Sequence, residues 1–303
     1  MKLLTKAMQE TIFYQMQLKS RDIDLCVLNA LDNALPIDYV CDSLMLYVNK
    51  DGGFGNGLYI DNYNTNTSVY QIYEAFRILD MVGFDSNSKN ELFDQIVNKA
   101  CNYLYNRCEL EDNKWNPNVI TNNDFAHSQI FTYSDENKKL FGYHPTAAIL
   151  AYTLKFNKET KAYYKKALKQ IRIMLDDFYK MEEFSEFEMI SFNTFYRIIK
   201  DLNLFTDELD KINNKLILNA EKMVKNGSKA LDVAFEISSE YLDNKKNEEL
   251  DLMISSIAPH GMWEHSGVWG YNKYVEEDSA AIKWIGAETR NNYYILKKYG
   301  RLE

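Results

Sequence analysis

The residues most able to exchange protons with a substrate gather in three segments of this 303-residue chain, at about 49–66, 109–144 and 257–278. All four histidines lie in these segments. Imidazole titrates close to neutral pH, so a histidine can act as a general acid or base, and a carboxyl group can do so when its surroundings shift its pKa. We therefore predict four candidate catalytic residues: Asp61, His144, Glu264 and His265.

These four candidates have different local settings. Glu264 and His265 are adjacent and could share a proton, although the sequence identifies no third partner for them. Asp61 opens the polar run 61–66 before a predicted helix, whose N-terminus favours an anion, either this carboxylate or a ligand phosphate. A solvated loop residue is the alternative for Asp61, and a helix cap or pocket residue is the simpler interpretation of His144.

Aromatic and polar residues around the same segments suggest a binding pocket. Three of the four tryptophans lie there, and such rings either pack loops onto a scaffold or line an apolar or sugar-binding pocket. Thr289 and Asn292 fall on the apolar stripe of a predicted helix, where buried polar groups need partners. The predicted ligand-binding residues are Trp115, Asp124, His127, Tyr143, Trp263, Trp269, Thr289 and Asn292.

Scarce glycine and proline indicate that helices position these residues. The chain has 12 Gly and 4 Pro, too few for the turns of a β-sandwich or barrel, or for a disordered chain. Helical periodicity predicts one domain over residues 1–303, with a capping box at Ser68 and Gln71 before one of its helices. About twelve helices are predicted, near 2–19, 22–32, 36–48, 67–82, 88–107, 145–157, 159–180, 184–204, 206–224, 229–242, 246–256 and 279–299.

The connections between these helices predict where a site would lie. Most are short, which makes successive helices antiparallel. The three long segments follow the third, fifth and eleventh predicted helices, and all odd-to-even connections share one end of an up-down array. We therefore expect the three segments to converge, and we call them together the loop rim. The stretch 135–139 is predicted to be mobile.

Charge and hydropathy limit the partners. The net charge of −9 argues against nucleic acid and against an anionic membrane surface. No run of about 18 apolar residues could span a membrane, and the N-terminal residues lack the apolar run of a signal peptide. A cytoplasmic protein with a small-molecule ligand is the expectation. No cofactor and no metal is expected, and the oligomeric state is left open.

Several motifs give the chain a family resemblance. Asp-Gly-Gly-Phe-Gly-Asn-Gly-Leu at 51–58, Gly-Tyr-His-Pro-Thr-Ala-Ala at 142–148 and the tryptophan-containing stretches 261–263 and 284–289 carry it, with Tyr-Gly-Arg at 299–301. They resemble an uncharacterised bacterial branch of the terpenoid cyclase and protein prenyltransferase superfamily, the proteins with prenyltransferase and squalene oxidase repeats. The resemblance implies an all-α fold, an (α/α)6 toroid of six helical hairpins.

The chemical signatures of that superfamily are incomplete here. The acidic Asp-x-Asp-Asp motif has its nearest counterpart in Met-Leu-Asp-Asp at 174–177, which lacks the first Asp. No Asp-Asp-x-x-Asp run is present for Mg²⁺, and no cysteine lies in the loop rim to complete a zinc site of Asp, Cys and His. Asn56 stands where the related proteins have His, Tyr-Ile at 59–60 replaces Glu-Pro, and Ala-His-Ser-Gln at 126–129 replaces Ala-Pro-Trp-Trp. Whether the chain is an enzyme is left open.

Three functions remain on the sequence alone. The first is binding or conversion of a small, apolar, isoprenoid-type ligand, which requires a deep apolar cavity opening at the loop rim. The second is an (α/α)6 carbohydrate-active enzyme, which requires two carboxyl groups about 5–9.5 Å apart, drawn from Asp51, Asp61, Asp124 and Glu264. The third is a non-catalytic binding protein.

Overall fold

The computed structural model describes residues 1–265, 267, 269 and 274–303, so part of the predicted connection 257–278 lies outside the described residues. The described residues form thirteen α-helices and no β-strand, which confirms the all-α prediction. The helices are α1 (Lys6–Lys19), α2 (Asp22–Leu31), α3 (Asp38–Met45), α4 (Val69–Met81), α5 (Glu91–Asn106), α6 (Asp135–Phe141), α7 (Thr146–Phe156), α8 (Ala162–Lys180), α9 (Glu186–Asp201), α10 (Leu209–Lys225), α11 (Ala230–Val233), α12 (Glu240–Ser255) and α13 (Glu276–Lys298).

Local capping explains where several helices begin. The Ser68 side chain accepts the Gln71 N–H at the start of α4, as predicted. The Gln71 side chain does not complete the capping box, because it accepts the Tyr59 N–H and donates to the Asn62 carbonyl instead, both at 2.7 Å. Gln71 thereby fixes the preceding connection onto α4.

Two predicted elements are wrong in extent. The helix expected at 229–242 is the single turn α11, and the helix expected at 246–256 belongs to the longer α12. Ser239 starts α12 early, because its side chain accepts the Leu242 N–H at 3.3 Å. Glu249 on α12 then accepts the N–H groups of Ala230 and Leu231 and holds the short α11 in place.

The stretch predicted to be mobile contains a short helix, α6. Its start is capped by the Ser134 side chain, which accepts the Asn137 N–H at 3.1 Å. Gly142 follows with a φ of 50°, a value that glycine adopts without the steric cost other residues incur. Short-range capping was therefore enough to order a segment without apolar periodicity.

Helix packing connects the two ends of the described chain. In sequence order α4 packs on α7, α7 on α8 and α9, α9 on α10 and α11, and α11 on α12. The last helix, α13, packs on α2 and α1, and the Leu4 N–H donates to the Arg301 carbonyl at 2.7 Å. One large apolar core runs through these contacts, with Leu4 and Leu296 both in it. Within the described part of the chain, no helix has both the length and the apolarity needed to cross a membrane.

Candidate functional site

The loop rim converges as predicted. The connection 49–66 contacts the connection 109–144 through Tyr63, whose N–H donates to the Ala126 carbonyl at 2.9 Å, and through buried asparagine side chains, with Asn62 donating to Asn122 at 3.1 Å. The third connection joins them at Trp269, whose indole N–H donates to Asp61 at 2.8 Å. All three long connections therefore meet at one place.

Asp61 holds this junction together. Its Oδ1 accepts the indole N–H groups of both Trp269 and Trp284, at 2.8 and 2.5 Å. Burial raises the pKa of the Asp61 carboxyl group, although the two indole donors and His265 oppose the shift. Asp61 is therefore a tethered carboxyl group rather than the solvated loop residue that the sequence also allowed.

The predicted pair of Glu264 and His265 is not the arrangement found. The Glu264 side chain is 74% exposed and lies 3.9 Å from the His260 imidazole. His265 stacks on the Trp284 indole, with ring centroids 5.0 Å apart, and its Nδ1 lies 3.4 Å from a carboxylate oxygen of Glu288. Glu288 on α13 is thus the carboxylate beside His265, a partner 23 residues away in sequence.

His144 is buried at the start of α7 and is fixed on both ring nitrogens. Its Nδ1 lies 2.7 Å from the Ser191 hydroxyl and its Nε2 lies 3.1 Å from the Tyr70 hydroxyl. Burial lowers the pKa of His144 to about 3, so the imidazole is neutral at neutral pH. A neutral imidazole in this position can orient the Tyr70 hydroxyl but carries no positive charge to a ligand.

Three of the predicted ligand-binding residues, Trp115, His127 and Tyr143, are held by contacts within or beside the connection 109–144. The backbone N–H of Trp115 donates to Thr146 at 2.9 Å, and the Tyr143 hydroxyl donates to Asp177 on α8 at 2.6 Å. His127 contacts the Phe125 carbonyl and the Thr132 hydroxyl, and Asp124 is exposed. These contacts stabilise the connection itself.

Trp263 and Thr289 fix the third connection onto α13. The Trp263 N–H donates to the Thr289 hydroxyl at 3.3 Å, and the Trp263 indole donates to the Met253 carbonyl at 2.8 Å. Thr289 is fully buried and Asn292 nearly so. Thr289 therefore belongs to a satisfied network, one of the two possibilities that the sequence left open.

A cavity of about 320 Å³ lies between α4, α7, α9, α13 and the stretch 231–236. Among the predicted site residues, His144 is the one that lines it. The cavity reaches the loop rim, because two of its lining residues, Tyr59 and His144, belong to the connections 49–66 and 109–144. Its aromatic wall consists of Tyr59, Tyr70, Tyr73, Tyr152, Phe235, Trp284 and Tyr294. Its charged lining consists of Glu74, Arg77, Asp80, Arg197, Asp232 and Glu236. We call this space the central cavity.

A first ion-pair network borders the central cavity and was not predicted. Arg77 on α4 lies 2.8 Å from Glu74, and Arg290 on α13 contacts Glu74 at 3.3 Å and Asp24 at 2.8 Å. Arg21 lies 2.8 Å from Asp24. Burial alone would raise the pKa of Asp24 and Glu74, but the surrounding arginines outweigh it and lower both. Both carboxyl groups are therefore ionised at neutral pH.

A second network lies at the other end of α4. Asp80 is 2.5 Å from both Lys155 on α7 and Arg197 on α9. Glu236 lies 3.0 Å from Arg197 and 2.6 Å from Lys298. Burial would raise the pKa of Asp80, but Arg197 and Lys155 outweigh it and lower the pKa. The Asp80 carboxylate therefore accepts from fixed cations and is unsuited to donate a proton.

A sequence signal for these networks does exist. Glu74, Arg77 and Asp80 recur at intervals of three within α4, and Glu74 is 3% exposed in a helix that is buried on almost every side. Charged residues are seldom fully buried without partners. Their partners Arg197 and Arg290 lie more than a hundred residues away, so the sequence alone does not identify them.

Comparison of the chain with protein-family models, curated proteins and solved structures found no match. Among the described residues, no group of three or more His, Cys, Asp or Glu side chains is arranged to hold a metal ion. The central cavity and the loop rim are therefore interpreted from their own geometry.

Proposed function

We propose that this chain is an α/α toroid of the terpenoid cyclase and prenyltransferase type, and that it binds a small organic molecule in the central cavity. The order in which the helices pack supports the toroid. Contacts run from α1 through α2, α3 and α4 to α7, then through α9, α10 and α11 to α12, and α13 packs on α1 and α2. The motifs at 51–58 and 142–148 support the family. A cytoplasmic location is part of the same proposal.

The observation that carries the binding proposal is the central cavity itself. A volume of about 320 Å³ is in the range of small-molecule pockets. Its wall contains seven aromatic rings. Among them, Tyr59 contacts both Tyr70 and Trp284, with ring centroids 4.5 and 5.6 Å apart. Such rings offer a broad apolar face for the carbon skeleton of a ligand.

The charged lining changes the kind of ligand that we propose. A purely apolar isoprenoid would leave Arg77 and Arg197 facing hydrocarbon, which is unfavourable for charged groups. A ligand with one apolar part and one polar part fits both halves of the lining. Binding without a chemical step is the better supported function, because the ionised carboxylates Glu74 and Asp80 are already engaged by cations.

Glycoside hydrolysis by paired carboxylates draws little support from the rim residues. Asp51 accepts the Thr67 hydroxyl and the Gly53 N–H and so stabilises its own turn. Asp124 and Glu264 are exposed, and Asp61 is bound by two indoles. None of these contacts arranges two carboxyl groups around a shared cleft.

Ligand-observed NMR with a cavity-filling variant tests the proposal. The probes are farnesol, which is apolar, and trans-cinnamate, which is an aromatic acid. Thr194 lines the cavity, so we expect Thr194→Trp to abolish saturation transfer to any probe that binds the native chain. The control is Thr160→Trp at an exposed position, which should leave binding unchanged. Transfer that persists in Thr194→Trp, or no transfer from the native chain to either probe, would refute the proposal.

A further inference from the structure

The two ion-pair networks each carry more cations than carboxylates. In the first, Arg21, Arg77 and Arg290 surround Asp24 and Glu74. In the second, Lys155, Arg197 and Lys298 surround Asp80 and Glu236. Each network therefore has one surplus positive charge. Because low-dielectric surroundings strengthen electrostatic interactions, this surplus favours an anion in the space between the networks.

Two acidic neighbours do not cancel this surplus. Asp201 lies 3.6 Å from Arg197, but its side chain is 63% exposed and is screened by solvent. Asp232 lines the cavity and is exposed. Burial raises the pKa of Asp232, which favours its uncharged form, and the charges that act on it are those of Lys229, Glu249, Glu186 and Glu288.

Arg77 and Arg197, the two arginines that line the cavity, both have N–H groups that donate to no buried carboxylate. Arg77 donates through Nε and Nη2 to Glu74, while its Nη1 reaches only the Asn291 side chain at 3.2 Å. Arg197 donates through Nη2 to Asp80. Its Nε lies 3.0 Å from Glu236 without forming a hydrogen bond, and its Nη1 lies 3.6 Å from the exposed Asp201. A guanidinium has five N–H donors, so each arginine can still bind an acceptor.

Three tyrosine hydroxyl groups complete the set of donors. Tyr73, Tyr152 and Tyr294 line the cavity, and Tyr73 and Tyr152 are 4% and 2% exposed. Among the residues that the structure describes, none forms a hydrogen bond with these three hydroxyls. Arg77 and Arg197 both act electrostatically on Tyr152 and Tyr294. A hydroxyl group that lines a cavity and has no partner in the described protein can donate to a ligand, and an acceptor between the two arginines would receive it.

We infer that the central cavity binds a small carboxylic acid, with its carboxylate between Arg77 and Arg197 and in reach of the hydroxyls of Tyr152 and Tyr294. The hydrocarbon part of the acid packs against the opposite aromatic wall. This inference rests on the proposed function and names its ligand class. A diphosphate would bring more negative charge than the two surplus cations balance, beside the ionised Glu74 and Asp80, so a carboxylate is the better match.

Isothermal titration calorimetry on the full chain tests the inference with three probes: trans-cinnamate, its neutral amide cinnamamide, and phenyl phosphate. We expect trans-cinnamate to bind at least about tenfold more tightly than the amide, the usual gain of a charge-assisted hydrogen bond. Phenyl phosphate should bind more weakly than trans-cinnamate.

Hydroxyl deletion locates the carboxylate. Tyr152→Phe and Tyr294→Phe each remove a group without a partner in the described protein, so both variants should unfold at the same urea concentration as the native chain. We expect each variant to lower the affinity for trans-cinnamate by about tenfold and the affinity for the amide much less. The matched control is Tyr14→Phe at a tyrosine that is 60% exposed, which should change nothing.

Three results would overturn the inference: equal affinity for acid and amide, tighter binding of phenyl phosphate, or unchanged trans-cinnamate affinity in both variants. Its failure is distinguishable from failure of the proposed function. If farnesol binds and Thr194→Trp abolishes that binding while trans-cinnamate is not preferred, the cavity binds ligands but the carboxylate inference is wrong. If no probe binds, both are wrong.

Discussion

At the scale of single residues, the titratable groups of Asp61 and His144 have different roles. Asp61 is tethered by two indoles and connects the loop rim to α13 through Trp284. His144 is neutral and fixed between Ser191 and Tyr70 beside the central cavity. Trp284 and His144 both line the cavity. Asp61, through Trp284, and His144 therefore determine the shape of the cavity where it meets the loop rim.

Asp61→Asn should become relatively more stable as pH rises. Burial raises the pKa of Asp61 in the folded chain, so the native state binds more protons than the unfolded state and loses stability as pH rises through that pKa. Asparagine keeps the Oδ1 acceptor for both indoles and cannot ionise. We therefore compare the free energy of unfolding of the two chains in urea at about pH 4 and about pH 7. Relative to the native chain, the variant should be more stable at about pH 7 than at about pH 4. A stability difference that is the same at both pH values, or that changes in the opposite direction, would show that the pKa of Asp61 is not raised in the folded chain.

His144 should stay neutral in mildly acidic solution. Burial lowers its pKa to about 3, whereas an unfolded histidine is mostly protonated at about pH 5. The ring ¹⁵N chemical shifts of His144 at that pH should therefore be those of a neutral imidazole. The same shift in pKa means that native stability falls as pH drops below the unfolded value of about 6.5. Imidazolium shifts at about pH 5 would show that His144 is not buried as described.

The sequence predicts where several site residues lie, but it does not identify the residues that they contact. Asp61, His144 and Trp269 lie where the three long connections meet or directly beside the cavity, as the loop argument predicts. Glu74, Arg77 and Asp80 were missed because the periodicity of α4 indicates only a buried face. Their role depends on residues of α9 and α13, which only the folded chain brings close.

At the scale of helices, α4 contributes most to the central cavity. It supplies Tyr70 and Tyr73 to the aromatic wall, and Arg77 and Asp80 to the charged lining. Helical spacing of three and four residues aligns these side chains on one face. Asp80 joins α4 to α7 and α9 through Lys155 and Arg197, so the cavity and the packing of these helices depend on the same ion pairs.

Asp80→Asn should destabilise the chain by about 3 kcal/mol, because it leaves Lys155 without its carboxylate partner and removes one of the carboxylates that face Arg197. Urea unfolding at neutral pH measures the loss. Asp201→Asn is a matched control, since Asp201 also faces Arg197 but is 63% exposed; its effect should stay below about 0.5 kcal/mol. Similar effects of the two variants would show that Asp80 is not part of a buried network.

Helix prediction was strongest for long periodic segments. The positions of α5, α8 and α10 follow from their apolar stripes. The short helices α6 and α11 were misjudged because side-chain caps decide them, namely Ser134 for α6 and the distant Glu249 for α11. The contact of Glu249 with Ala230 joins residues 19 apart in sequence, so local sequence patterns cannot predict it.

At the scale of the whole molecule, close approach of α13 to the start of the chain joins its two ends. Gly286 on α13 faces Ser20, and a Cβ atom at Gly286 would lie 2.9 Å from the Ser20 Cβ. Arg301 adds contacts to Asp251 at 2.6 Å and to the Lys2 carbonyl at 3.0 Å. These contacts hold the two ends of the described chain together.

Gly286→Ala should therefore destabilise the chain. Alanine in place of glycine within an exposed helix usually stabilises by about 1 kcal/mol, but overpacking a tight contact costs about 1–3 kcal/mol. We expect a net loss in urea unfolding, while Ser279→Ala at an exposed position of the same helix should have little effect. A Gly286→Ala chain as stable as the native chain, or more stable, would contradict close packing of the two ends.

The proposed ligand lies in the central cavity with its carboxylate between Arg77 and Arg197. A crystal of the full chain soaked with 4-iodocinnamate tests this position directly, because the anomalous scattering of iodine locates the probe without ambiguity. We expect the carboxylate beside Arg77 and Arg197 and the iodinated ring near Tyr59 and Trp284. Iodine found only at the protein surface, or a carboxylate turned toward the loop rim, would contradict it.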